Sequence, residues 1–349
     1  MRKDEWEIIL KCASAEEMDE VPAALIVDSP WIPGYVGMDT IDYYSDLEMW
    51  WKSHRKIRED FPDVIFLPDY WVEFGMASEP SAFGCKFAFY NDRPITIEHI
   101  VSDSDDLVDL CNVKLPNPRR DGLMPVVLNY YKRVSEMAKA VGEEVKIIAA
   151  RGPLNVAAHM MGVTELLLGY KVHPDEAHKL FRTLTSHVKN WLEAQMDAVG
   201  TCEGVLLLDD IIGFLSPADY MEFAHPYFKE IFDAFPLPVR MLHNDTDNPV
   251  SYPHIADMGA NIFNFTHERT MSEVSKLVGD KVCLLGNIPP LHLLTRGTPE
   301  EVEAGSLACL QDYGRKSGVI LSAGGGASPG MPGENLEAMI RAAKKFSAQ

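Results

Sequence analysis

The stretch Gly204-Val205-Leu206-Leu207-Leu208-Asp209-Asp210 decides the fold. An apolar run this short, closed by two acids, reads as a buried strand with a polar loop at its C-terminal end. Downstream, Pro217–Ala234 carries a helical pattern and Pro238–His243 is a second short apolar run. Outward in both directions the alternation repeats. Strands are expected at Ala23–Asp28, Val64–Pro68, Lys146–Ala150, Gly204–Asp209, Pro238–His243, Asn261–Phe265, Lys281–Gly286 and Gly318–Ser322. Helical patterns fall at Leu123–Val141, Pro174–Val199, Pro217–Ala234, Met271–Val278, Pro299–Tyr313 and Glu334–Phe346. This alternation predicts an α/β fold, a (β/α)8 TIM barrel. An open doubly wound sheet is the alternative, but no Gly-x-Gly-x-x-Gly follows the first strand.

Helix punctuation supports that register. Pro174-Asp175-Glu176, Pro217-Ala218-Asp219 and Pro299-Glu300-Glu301 put proline and acids in a first helical turn, where the missing donor and the helix dipole suit them. Phe83–Val101 departs from the pattern, alternating apolar and polar residues around Asn91-Asp92, and reads as a hairpin excursion. The expectation is one domain over residues 1–349, with residues 1–22 as an N-terminal extension.

The 349 residues carry 32 basic and 52 acidic side chains, a net charge of −20. That balance argues against nucleic acid or an anionic membrane surface as the main partner. No apolar run approaches the length of a membrane span, and acids stand where a signal peptide needs an apolar core. The six cysteines form no Cys-x-x-Cys pair and read as reduced thiols, so a cytoplasmic location is expected.

In such a barrel, chemistry is built where the strands end. The predicted ends deliver Asp28, Asp69, Arg151, Asp209 with Asp210, His243 with Asp245, Asn264 with His267, Asn287, and the loop Gly324–Gly326. His243 and Asp245, two apart, project to one side of an extended chain and could share a metal ion with Asp209 or Asp210. The bland alternative is a histidine bonded to an aspartate that caps a turn. Asp209 and Asp210 point opposite ways, so one faces the pocket and the other caps or pairs outside. Arg151 reads as an ion-pair partner. Trp31, Tyr35, Tyr70, Trp71 and Phe74 are candidates for an apolar pocket wall or for core packing.

Gly152-Pro153-Leu154, Leu215-Ser216-Pro217 with Glu222-Phe223 and Pro226-Tyr227, Leu285-Gly286-Asn287-Ile288-Pro289-Pro290, Gly297-Thr298-Pro299-Glu300-Glu301-Val302 and Pro332-Gly333-Glu334-Asn335-Leu336 form an ordered set. Over residues 146–345 this set resembles the uroporphyrinogen decarboxylase superfamily, especially its corrinoid-dependent methyltransferase branch. The resemblance implies a (β/α)8 barrel. The decarboxylases carry an Arg-Gln-Ala-Gly-Arg element for their substrate's carboxylates; here the region reads Asp28-Ser29-Pro30-Trp31-Ile32-Pro33-Gly34-Tyr35, without arginine. Asp69 falls where they carry a central aspartate, His159 stands near their tyrosine, and Gly325 replaces their late histidine. The methyltransferases bind zinc through His-x-Cys and a later cysteine. His243 matches the first ligand, Asp245 stands at the first cysteine and Gly325 at the second.

An oxygen-richer zinc site of His243, Asp245 and Asp209 suits cleavage of a methyl ether better than activation of a thiol. The resemblance therefore implies a methyltransferase moving a methyl group from a small methoxylated, aromatic substrate to a corrinoid protein. Its expected catalytic groups are Asp69, His159 and Asp210, with Trp31, Tyr35, Trp71, Asn264, His267 and Asn287 as substrate-binding residues. Gly324–Gly326 is expected to leave an opening for the corrin face. The alternatives are a decarboxylase or lyase using Asp69 and His159, and a degenerate barrel that only binds a corrinoid or tetrapyrrole.

Overall fold

A computed structural model describes residues 1–27 and 31–349. Eight parallel strands form a nearly closed barrel: β1 (Ala23–Ile26), β2 (Val64–Leu67), β3 (Ile147–Arg151), β4 (Gly204–Leu208), β5 (Val239–Asn244), β6 (Ile262–Phe265), β7 (Cys283–Ile288) and β8 (Val319–Ala323). They run around the wall in the order β2-β1-β8-β7-β6-β5-β4-β3. Among the described residues no ladder joins β2 to β3. All eight match expected strands to within three residues at each end; Asp28, expected to end the first, lies outside the described residues.

Side-chain alternation sorts the strands into two cores. Ala24, Ile26, Ile65, Leu67, Ile147, Ala149, Leu206, Met241, Ile262, Cys283, Leu285 and Ile320 fill the barrel interior. Their sequence neighbours pack outward against the helices. Strands buried on both faces lose the polar alternation of an exposed sheet, which is why they read as continuous apolar runs.

The N-terminal extension is a helix, Lys3–Ala13, whose Trp6, Ile9, Cys12 and Ala13 join the interior cluster and close the barrel floor. The excursion at 83–101 contains an antiparallel pair, Lys86–Ala88 with Thr96–Glu98, and its end is tied to helix Pro153–Met161 where Ile100 N donates to Met160 O at 2.9 Å. Helices at Leu47–Asp60, Pro153–Met161 and Val163–Val172 add to those expected, and Pro217–Ala234 is interrupted by a π-helical turn at Tyr220–Ala224.

Where β2 and β3 do not pair, buried charges connect them. Arg58 donates to Asp69 Oδ1 at 2.6 Å and to Glu5 Oε2 at 2.7 Å, and its Nε lies 3.1 Å from Glu143 Oε2. Tyr70 donates to Glu143 Oε2 at 2.9 Å, and Arg55 donates to Glu143 Oε1 at 2.5 Å. The guanidinium of Arg58 is held even more firmly protonated by Asp69, Glu5 and Glu143, against the opposing effect of its burial.

Candidate metal centre at the barrel mouth

The strand register brings the expected residues of β4, β5 and β6 together. Leu208 stands beside His243, and His243 beside Asn264. Because Leu206 and Leu208 face the interior, Asp210 continues on the inner side and Asp209 turns outward. One ligand atom from each of Asp210, His243 and Asp245 lies within 4.8 Å of the others. His243 Nε2 is 3.7 Å from Asp210 Oδ1, and the backbone N–H of Asp245 donates to Asp210 Oδ1 at 3.2 Å. His243 is buried, Asp210 is half-buried, and Asp245 is open to solvent at its tip. The protein around Asp245 still desolvates it and raises its carboxyl. Asp210 adds to the rise, and His243 and His267 oppose it.

The donor set, one imidazole and two carboxylates, fits zinc or another divalent cation of intermediate hardness. No thiol is among these three ligands. Gly325 explains part of this. Its φ is +122° and a Cβ there would lie 2.8 Å from Asp245 Oδ2, so the Asp245 carboxylate lies against the room a side chain would need. Gly324 similarly abuts the backbone of His267, with 2.7 Å from its would-be Cβ to His267 N. The glycine loop is thus a place of close packing, where the sequence suggested an opening. Gly325→Ala is expected to cost about 1–3 kcal/mol through backbone strain and to displace the Asp245 carboxylate from the position where it could hold a cation. Thermal unfolding and a zinc titration of the same preparation test both effects.

Asp209, expected as a metal ligand, is fully buried outside this cluster. Its Oδ2 accepts from the backbone of Asn155 at 2.9 Å and its Oδ1 from Ile211 at 3.1 Å, and Gly152 leaves it the necessary space. Burial, with the nearby charge of Asp210, pushes its carboxyl up to about 8 despite these amides. The folded state therefore keeps the proton while the unfolded chain releases it near the ordinary value of about 4. Its contribution to stability declines as pH rises between these values and levels off above the higher one. Asp209→Asn is expected to flatten that segment of the stability profile, measured by urea unfolding across pH 4–8.

Other expected residues are placed elsewhere. Asp69 is locked to Arg58 and to the Met1 nitrogen, with a φ of +93°, and belongs to the ionic bridge between β2 and β3. Trp31 is fully buried in the outer core, its Nε1 donating to Met331 O at 3.0 Å and its ring 5.0 Å from that of Tyr35. Tyr35 donates to Asp60 Oδ2 at 2.8 Å on the same outer side. Neither lines the mouth, because their segment packs against helix Gly333–Ser347 and Phe61. Trp71 alone of the three expected aromatics joins the interior cluster.

Asn287 donates to Thr266 O at 3.3 Å and to Arg269 O, and accepts from Cys309 Sγ at 3.2 Å. It thereby secures the loop that carries His267, with its polar atoms engaged by protein. A groove of about 330 Å³ beside this loop is lined by His267, Arg269, Asn287, Pro289 and Cys309. A larger cavity of about 490 Å³ lies at the opposite end, against the N-terminal helix and the starts of β1 and β2, remote from the strand ends where the ligands meet.

Arg151 forms ion pairs with Glu79 at 3.3 Å and Glu73 at 3.4 Å. Neither partner carries a recognisable sequence signal; both lie on the segment after β2. Near Arg151, His159 is pushed down to about 3, mainly by burial and further by the guanidinium, so its imidazole is neutral. Its Nε2 has no hydrogen-bond partner among the described residues.

Residues 37–346 match the uroporphyrinogen decarboxylase (URO-D) family. The chain belongs to that family. A uroporphyrinogen decarboxylase of Synechococcus sp. (strain CC9605) is 30% identical, covering 98% of this chain and 97% of that protein. One from Pseudoalteromonas translucida (strain TAC 125) is 28% identical over 83% of this chain and 78% of its own length. Among solved structures, a methyltransferase from Methanosarcina mazei superposes with a TM-score of 0.79 at 19% identity, covering 97% of each chain, and shows that this URO-D family member shares its fold. No helix among the described residues is long and apolar enough to cross a membrane.

Proposed function

We propose that this family member is a methyltransferase, moving a methyl group from a methoxylated aromatic donor to a corrinoid carried by a partner protein. The observation that carries the reading is the Asp210–His243–Asp245 cluster at neighbouring strand ends. The fold shared with the methyltransferase of Methanosarcina mazei is consistent with it.

Asp210, His243 and Asp245 would hold a zinc ion. Bound there, the cation supplies positive charge that stabilises an oxygen leaving group and lowers the barrier to breaking a methyl ether. In the reaction the methyl carbon–oxygen bond breaks as the methyl group passes to the partner's reduced corrinoid, and the bonding electrons stay on the donor oxygen as a phenolate. Trp71, packed in the interior cluster, and His267, which lines the groove beside the Asn287 loop, are the candidates for substrate contact. The decarboxylase alternative relied on Asp69, whose carboxylate is already engaged by Arg58 and the Met1 nitrogen.

The test is an anaerobic assay with cob(I)alamin, zinc-replete protein and a panel of methoxylated aromatics, following the cobalt spectrum. Methylcobalamin that requires both enzyme and donor supports the reading. No methylation with any donor, even with the corrinoid partner supplied, removes ether cleavage from consideration.

A further inference from the structure

Asn264 is fully buried on β6, and its surroundings decide which way its amide faces. Its Nδ2 lies 2.8 Å from Leu285 O and 3.1 Å from Ala323 O. Both are carbonyl oxygens, which only accept hydrogen bonds, so the amide NH2 must occupy this side. The reversed amide would set its own oxygen against two others and leave buried acceptors unpaired, at a cost of about 1–3 kcal/mol for each. The Oδ1 is therefore the atom 2.6 Å from His243 Nδ1. An oxygen at that distance requires a proton on Nδ1.

We infer that Asn264 is a positioning residue that fixes the protonated nitrogen of His243 and leaves the Nε2 lone pair directed to the space shared with Asp210 and Asp245. Asp210 does not compete for a proton on Nε2, since its Oδ1 is 3.7 Å away, beyond hydrogen-bond distance. The same amide staples β6 to β7 and β8, and Ala323 immediately precedes the glycine loop that abuts Asp245. Imidazole orientation and the position of the neighbouring carboxylate thus share one support. Asn264, a substrate-binding candidate from its strand-end position, has its side chain committed to three protein groups. The use of the lone pair for metal rests on the proposed function, whereas the tautomer does not.

The experiment is nitrogen-15 NMR of the metal-free full chain labelled at histidine, at about pH 8, above the usual imidazole range. His243→Gln identifies the signal. In the wild type His243 is expected to be protonated at Nδ1. Asn264→Leu is expected to lose this fixed tautomer and to bind zinc roughly 10–100-fold more weakly, the usual effect of removing a partner that orients a ligand. Asn264→Asp, which keeps an acceptor facing Nδ1, is expected to retain the tautomer even if the fold is less stable. A wild-type His243 protonated at Nε2 overturns the inference, as does an Asn264→Leu protein with tautomer and zinc affinity unchanged. Nδ1 protonation in a wild-type protein that binds no zinc supports the positioning role and removes the metal reading.

Discussion

Purified His243→Ala protein is expected to bind zinc roughly 100- to 1,000-fold more weakly than the wild type and to lose donor-dependent methylation. Structural zinc sites are worth about 10–16 kcal/mol over four ligands, so one ligand accounts for about 2.5–4 kcal/mol. His243 supplies the only nitrogen in the cluster, and the two carboxylates left behind repel one another once the cation is gone. The fold should survive, because the imidazole sits at the mouth and its side-chain hydrogen bond runs to Asn264. Asp209→Asn is the informative control. Its side chain caps the turn behind the cluster, so it should retain zinc while His243→Ala does not. Metal analysis after dialysis reads the difference directly, and equal zinc contents in all three proteins would sink the proposed centre.

The second large effect concerns stability. Arg58→Met should destabilise the protein by about 3–5 kcal/mol, the usual result of removing one partner from a buried ionic cluster. The guanidinium reaches Asp69, Glu5 and Glu143 at once, and the side chains of all four are at most 6% exposed. Methionine matches the length of the stem but returns no charge, so these carboxylates keep only their remaining partners. Arg58→Lys should recover little, since an ammonium cannot reproduce a planar fork that serves three acceptors. Denaturant unfolding measures the loss, and a change below about 1 kcal/mol would mean the bridge contributes far less than buried pairs ordinarily do.

Much of the barrel was legible because strands buried on both faces are written as runs such as Val205–Leu208 and Val64–Leu67. The same property hid which acid after β4 faces inward. A strand apolar at every position gives no parity, so the choice between Asp209 and Asp210 had to wait for the register. The N-terminal helix had a readable signal in Trp6, Ile9 and Ala13, at spacings of three and four, but residues 1–22 were read only as an extension, without a helix assigned. Asp69 was misplaced for a different reason. Strand-end reasoning assumes the chain continues upward, whereas here it turns at a positive φ toward Arg58, a partner on the preceding helix. Trp31 and Tyr35 show that aromatic composition near a strand says nothing of which side of the wall the rings occupy.

Among the described residues β2 and β3 are left unpaired to one another, which gives this cylinder two free edges, and free edges are where foreign strands add. Here one edge is four residues long and stops at Pro68, which has no amide to offer, and the other is five residues long. What joins them is a rivet of charges, with no strand-to-strand weave. Such a joint follows different rules from the rest of the wall, responding to acid and to any competing ion that reaches it. A molecule fastened in this way has a preferred line along which to come apart, and a product of its opening would expose two short, poorly templating edges instead of a continuous sticky sheet.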